Sequence, residues 1–462
     1  MLFKKIFALL TAAALCLTLS SCGKGGEEQV SEVTAETTAD GKKIIKMYAW
    51  LVTDNRLYDA VSDFNLKNSE YWVELTEYVN VYKEPLIRLN TDITTGNAPD
   101  ILVVHQAMPV KSYIDKGLFA DLYEFIDSDP DLKREDFLDS IFRAYERDGK
   151  LCELVPEFYI ETVTGKTSLV GDKQGRTAEE FIKLAEAYPD KKIMNGYTTK
   201  SSALDMLVRY SYGSFIDQST GKCSFDSEEF TALLEFCDRF PFEISADYFA
   251  DEYSWIDEEY DLLNGNTLFS SEWVIADFTV IRKLERAIYG EPVTFMGFPG
   301  AGGNGAVIYP QSEYAVISSS PNKEGAWEFL RYFYSEEYQD SIISSNSNFP
   351  VRLSSLEIMA ENAKKGRYSA LEKEYEEPTW YLFGKEITVG VNTDEDNRRI
   401  YDLLDSAVGV MERDNYIYEI ISDEAAEYFG GQKSAKETAE VIQNRVSNYL
   451  AENRETAERI FL

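Results

Sequence analysis

The chain reads as an α/β protein of at least two domains, and two observations predict this. From Lys43 onward, short β-like runs alternate with helical stretches, the pattern of helices layered on a sheet. The length of 462 residues exceeds what one core supports, because single cores stop growing near about 250–300 residues. Composition agrees with a globular chain, at 44% apolar and 27% charged residues.

Taken in order, Lys43–Trp50 and Trp72–Val79 read as strands. Asp54–Leu66 and Glu84–Thr95 carry helical spacing, and Asp100–Val104 (DILVV) is a short buried strand. The βαβαβ order predicts a sheet with right-handed crossovers. Later helices are marked by caps: Thr177 with Glu180, Asp226 with Glu229, and Ser434 with Glu437 each place an N-cap oxygen three residues before an acid. Ser320-Pro321 opens a further helix, with proline at its first position, and strand-like Ser312–Ser318 runs into it. Thr267–Ser271 (TLFSS) is also strand-like. No repeat with a period of about 20–50 residues is visible.

The first residues read as an export signal. Lys4 and Lys5 precede Ile6–Leu19, an apolar run of 14 residues. A bilayer span needs about 20, so this is a signal segment and not a transmembrane helix. Leu19-Ser20-Ser21-Cys22-Gly23 looks like a bacterial lipobox, which implies cleavage after Ser21 and a diacylglycerol on Cys22. Residues 1–21 are thus expected to leave, and 22–42 to form a lipidated cysteine and a flexible tether. The tether has no aromatic residue and cannot bury enough surface to fold. Twenty such residues reach roughly 25 Å.

Charge and composition exclude several classes. Lys plus Arg total 46 against 81 Asp plus Glu, a net charge of −35, which becomes −37 once Lys4 and Lys5 leave. Such a surface repels nucleic acid. With one histidine, His105, a His-cluster metal site cannot form. No cofactor or metal is expected. Gly300 to Gly305 fits GxGxxG as a string, but the strand-like Ala306–Pro310 follows where a dinucleotide site needs a helix. Ser320 to Lys323 fits SxxK without its companion motifs. Cys152, Cys223 and Cys237 show no CxxC spacing and read as small buried hydrophobes; a Cys223–Cys237 bridge is open but not indicated.

Several stretches resemble the extracellular solute-binding proteins of ABC importers, specifically family 1, whose members mostly bind carbohydrate. Asn90 to Leu122 resembles the family's helix, G-x-x-P-D, short strand and cleft loop. Asp148-Gly-Lys-Leu151 with Pro156 resembles the passage into the second lobe, although Cys152 stands where an aromatic is usual. Gly297 to Phe333, Asn348 to Arg352 and Gly431 to Tyr449 resemble the return strand, the third hinge crossing and the closing helix. The resemblance implies a two-lobe periplasmic-binding-protein-like (type II) fold. Lobe one would be 43–155 plus 295–347, and lobe two 156–294 plus 348–462. It further implies a protein that is not an enzyme, a small-molecule solute, ABC permease subunits as partners, a lipid anchor on the outer face of a bacterial membrane, and a monomer.

Sugars present apolar C–H faces ringed by hydroxyls, so their sites need flat aromatics and planar amides or carboxylates. At loop positions beyond strand ends, this filter selects Trp50, Asn55, His105, Gln106, Tyr159, Glu161, Trp255, Glu272, Trp273 and Trp380. For Trp50 the alternative is core packing at a strand end. Pro156 and Arg352 are expected at the hinge. A peptide, polyamine or other solute stays open as the ligand. A surface glycosidase, which would need paired carboxylates in one cleft, is the reading from another class.

Overall fold

The computed structural model describes residues 36–460, apart from 51–54, 79–82, 106–107, 210–211, 218–219, 246–247, 249–253, 300–304, 344–346, 370–373, 383–384, 408 and 411–414. The expected export signal, Cys22 and most of the expected tether lie outside the described residues, as does Gln106. Among the described residues, no helix is long and apolar enough to cross a membrane.

Along the chain run β1 (Lys43–Trp50), α1 (Asn55–Lys67), β2 (Tyr71–Tyr78), α2 (Lys83–Thr94) and β3 (Ile101–Val103). These match the expected elements to within two residues. Next come β4 (Glu157–Glu161), β5 (Thr164–Lys166), α3 (Ala178–Glu186), α4 (Lys200–Arg209), α5 (Glu228–Cys237), α6 (Ser254–Asn264), α7 (Val280–Lys283) and β6 (Val293–Phe295). The last part holds β7 (Val307–Pro310), β8 (Tyr314–Val316), α8 (Lys323–Leu330), α9 (Glu336–Ile343), β9 (Phe349–Pro350) and α10 (Leu353–Lys365). After these come a hairpin, β10 (Thr379–Leu382) and β11 (Lys385–Thr388), then α11 (Asp394–Ser406), β12 (Gly409–Val410), α12 (Asn415–Phe429) and α13 (Ala435–Ile460).

The first sheet has the order β8-β3-β1-β2, with β1 parallel to both neighbours and β8 antiparallel to β3. The second has the order β9-β4-β7-β12. Beyond it β5 pairs with β6, and the bridges Thr164↔Ser270 and Lys192↔Thr267 widen the layer. Thr267–Ser271 therefore contributes isolated bridges where a continuous strand was expected.

The chain crosses between the sheets three times, near Leu154–Glu157, Pro310–Tyr314 and Asn348–Arg352, with Leu154↔Tyr314 bridging the first two. Gln339, fully buried on α9, ties the outer crossings together. Its Nε2 donates to Pro156 O at 2.8 Å and Phe333 O at 2.7 Å, and its Oε1 accepts from Val351 N at 2.8 Å and Arg352 N at 2.9 Å. Glu157, also fully buried, accepts from Arg56 at 3.0 Å, Tyr338 at 3.1 Å and Asn348 at 2.9 Å. Desolvation pushes its carboxyl up, and Arg56 works against that. Buried polar groups persist when they are paired in this way.

Two caps differ from expectation. Ser227, not Asp226, caps α5, and accepts from Phe230 N. Asn322, not Ser320, stands at the N-cap of α8; Ser320 Oγ accepts from Asn322 N in the turn before the helix and donates to Asp100 at 2.5 Å. The reciprocal boxes at Thr177/Glu180 and Ser434/Glu437 form as expected. Cys152, Cys223 and Cys237 are free thiols, and Cys152 and Cys237 are buried.

The core forms three clusters. One runs from Ile45 and Val73 through Phe158 to Phe278 and Ile400, so it spans both sheets. A second lies under α3, α4, α5 and α13. The third packs Trp50, Leu102, Tyr113 and Cys152 behind the first sheet. Glu36–Leu462 forms one compact unit.

Candidate functional site

The ends of the parallel strands place the first group of aromatics. Trp50 closes β1 opposite Tyr78 of β2. Its ring lies 5.1 Å from Tyr78 and stacks on His105 at 6.3 Å, with 24° between the planes. Tyr48 meets Tyr78 edge-on at 5.6 Å. Trp50 is only 7% exposed, so most of its surface is already packed. His105 is half-buried just past β3.

On the second sheet, Tyr159 on β4 and Tyr309 on β7 are cross-strand partners. Their rings stack at 4.7 Å and 10°, a favourable pair for adjacent strands. Glu161, half-buried, ends the same strand opposite Val307.

A second group gathers around residues 272–273. The Ile160↔Ile275 and Thr164↔Ser270 bridges hold this segment beside β4 and β5. Glu272 Oε1 accepts from Asn195 Nδ2 and Tyr197 OH. Tyr197 meets Tyr248 edge-on at 5.9 Å. Glu272 touches solvent, yet surrounding protein displaces much of its water, and this desolvation pushes its carboxyl up to about 7.

Trp273 and Trp380, both half-buried, share one cation. Lys283 Nζ lies 3.3 Å from the Trp380 ring centroid and 5.4 Å from that of Trp273. Trp380 arrives on the β10–β11 hairpin and Lys283 at the end of α7. Desolvation lowers the Lys283 pKa, while Asp277 and Glu259 oppose that. Glu259, on α6, is itself pushed up to about 7 by desolvation.

The structure thus brings Trp50 and His105 together, and Glu272, Trp273 and Trp380 into one neighbourhood, with Tyr159 and Glu161 on the strand that Ile275 pairs with. Asn55 opens α1 and Trp255 lies on α6, and their side chains are outside the described residues. Pro156 and Arg352 sit at the first and third crossings. Arg352 stacks over Phe137 at 5.7 Å and bonds Tyr334 O at 3.2 Å. Sequence reasoning missed Tyr78, Asn195, Tyr197, Tyr309 and Lys283. The Asn195-Gly196 turn signal could have flagged Tyr197; no local pattern marks Lys283.

A groove of about 710 Å³ lies elsewhere, between α1, α8 and α9, with Phe64, Asp131, Arg331, Tyr332 and Arg352 in its wall. Its charges are largely paired, Lys67 with Asp63, Arg331 with Asp131 and Arg352 with Glu336, and apart from Arg352 it holds none of the expected residues. The aromatic group around Glu272 is the better candidate. Among the described residues, no group of three or more His, Cys, Asp or Glu is placed to hold a metal ion.

Comparison with known proteins bears on the fold. The sugar-binding protein MalE of Xanthomonas citri superposes with a TM-score of 0.55 at 14% identity, covering 90% of this chain and 99% of its own. The cyclic α-maltosyl-1,6-maltose-binding protein of Arthrobacter globiformis gives 0.52 at 14%, covering 89% and 99%. The ABC substrate-binding protein Lmo0181 of Listeria monocytogenes, solved with cycloalternan, gives 0.51 at 16%, covering 89% and 99%. At such identities the likeness shows the fold alone: a two-lobe, type II periplasmic-binding-protein architecture. No curated protein sequence matches the chain significantly. A family model described as bacterial extracellular solute-binding protein matches residues 59–369, more than half of the chain. By that match, the chain belongs to the bacterial extracellular solute-binding protein family.

Proposed function

We propose that this chain is the lipid-anchored substrate-binding subunit of an ABC importer and that it captures a sugar or oligosaccharide. The observation that carries the saccharide reading is the Glu272 carboxylate, held by Asn195 and Tyr197, next in sequence to Trp273, whose ring shares the Lys283 cation with that of Trp380. Planar acceptors for hydroxyls stand next to flat apolar faces, the chemistry a sugar needs. The sugar ligands named for the structural neighbours support the same class.

In this reading, lobe one is 43–155 plus 295–347 and lobe two is 156–294 plus 348–462. The crossings at Pro156 and Arg352 act as the hinge. Ligand binds between the Trp50/His105 wall and the Glu272/Trp273 wall, stabilises the closed state, and the permease recognises that state. No covalent step is involved. Residues 1–21 are removed, the lipid on Cys22 holds the protein at the outer face of the membrane, and the protein works as a monomer.

The test is a thermal-shift screen against mono- and oligosaccharides, short peptides and polyamines. A ligand at 100 times its Kd adds roughly 2.7 kcal/mol of stability. A saccharide that shifts the transition and is recovered unchanged supports the proposal. A peptide or polyamine hit replaces the substrate class, and a saccharide that is consumed makes the protein a glycosidase.

A further inference from the structure

The groove of about 710 Å³ between α1, α8 and α9 plays no part in saccharide capture as proposed, yet its volume is that of a small-molecule site. Ala60, Asp63, Phe64 and Lys67 recur at steps of three and four and so share the face of α1 that borders it. Glu328, Arg331 and Tyr332 do the same where α8 runs on into a short turn of 3-10 helix, Arg331–Tyr334.

Its floor is aromatic. Phe64 meets the fully buried Phe329 edge-on at 5.2 Å. Tyr332 meets Phe333 edge-on at 5.9 Å and Tyr338 at 5.6 Å. Phe64 and Tyr332 are themselves half-buried, so rings held by the core keep part of their surface toward the groove.

Its rim has acid to spare. Lys67 is paired with Asp63 at 2.9 Å, Arg331 with Asp129 and Asp131 at 2.7 Å each, and Arg352 with Glu336 at 3.4 Å. The cations of the wall are thus already matched. Glu328 and Glu337 line the same groove, are exposed, and make no ion pair or hydrogen bond among the described residues. Spare carboxylates beside ring faces suit an organic cation: the rings attract its charge and cover its apolar body, and the acids supply the counter-charge. A sugar would need planar amides, and Asn68 is the one amide in this wall among the described residues. The net charge of −35 acts in the same direction, drawing cations and opposing anions.

We propose that this groove is a second ligand site, for a small organic cation with a flat apolar body, of the arylalkylamine class. Glu328 and Glu337 supply the counter-charge, and Phe64 and Tyr332 the faces on which the body lies. Glu272, Trp273 and Trp380 take no part in its wall, so the site is separate from the cleft and does not rest on the saccharide reading.

The test is calorimetric titration of the full chain with tryptamine, against tryptophol, which has nearly the same shape and no charge. Tryptamine should bind about tenfold more tightly. Glu328→Gln combined with Glu337→Gln keeps the side-chain shapes and should keep the melting temperature, yet weaken tryptamine by about fivefold and leave tryptophol unchanged. Tyr332→Leu should weaken both probes by about threefold, because it removes a face and not a charge. Equal affinity for the two probes, tryptamine that fails to saturate at millimolar concentration, or an affinity that survives the double variant would each overturn the inference. Any of these leaves the saccharide reading standing, because that reading concerns the cleft.

Discussion

The two aromatic walls are built from the same residue types but are held in different ways. Trp50 is packed on Tyr78 and His105 at the end of a regular parallel strand and is 7% exposed. Trp273 and Trp380 are half-buried, come from a loop and a hairpin, and are joined through a lysine. The first wall is finished by its own packing. The second keeps half-open rings and a carboxyl titrating near neutrality. A ligand gains little by adding contacts to a closed aromatic cluster, and gains more where ring faces still meet solvent. Under the proposed function, the first wall contributes shape and the second contributes specificity.

The largest expected effect lies at the crossing between the walls. Glu157→Leu strands Arg56, Asn348 and Tyr338 around an apolar side chain, and should cost about 3–5 kcal/mol. Glu157→Gln keeps a polar partner and should cost markedly less in the same denaturant titration. Trp50→Ala should also cost about 3–5 kcal/mol, because it empties a packed position. Trp273→Ala should cost less than half as much stability, yet weaken ligand binding about tenfold. Equal stability losses at Trp50 and Trp273 would erase the distinction between the walls.

A smaller effect appears with pH. The folded Glu272 carboxyl holds its proton up to about 7, whereas an unfolded glutamate releases it near about 4.3. Between these values the folded state binds more protons, so stability falls as pH rises through that window. Thermal melts at pH 5 and pH 8 should show the fall, and Glu272→Gln should reduce it. An unchanged slope in the variant would place the desolvated acid elsewhere. The smallest effect is the cation–π contact: Lys283→Met should lower stability by only about 0.5–1 kcal/mol, measured at pH 7.

Most of the fold was legible in one dimension. The first βαβαβ unit, the capping boxes at Thr177 and Ser434, and the family match follow from periodicity, caps and motif order, which act within a few residues along the chain. The site was legible only in part. Glu272, Trp273 and Trp380 were selected as flat or planar groups at loop positions, and the structure gathers them. Lys283, Asn195 and Tyr197 carried no comparable signal. The helix expected to open at Ser320 begins at Lys323, and Ser320 Oγ serves the turn before it, accepting from Asn322 N while donating to Asp100, 220 residues away in sequence.

By itself the sequence determined the class of element, the excess of acid and the supply of flat aromatic and planar polar side chains. The tertiary structure decided which aromatics are already spent on packing, which acids lose their water, and that Gln339 and Glu157 lock the crossings. Burial and convergence depend on residues far apart in the chain, whereas propensity and capping depend on neighbours.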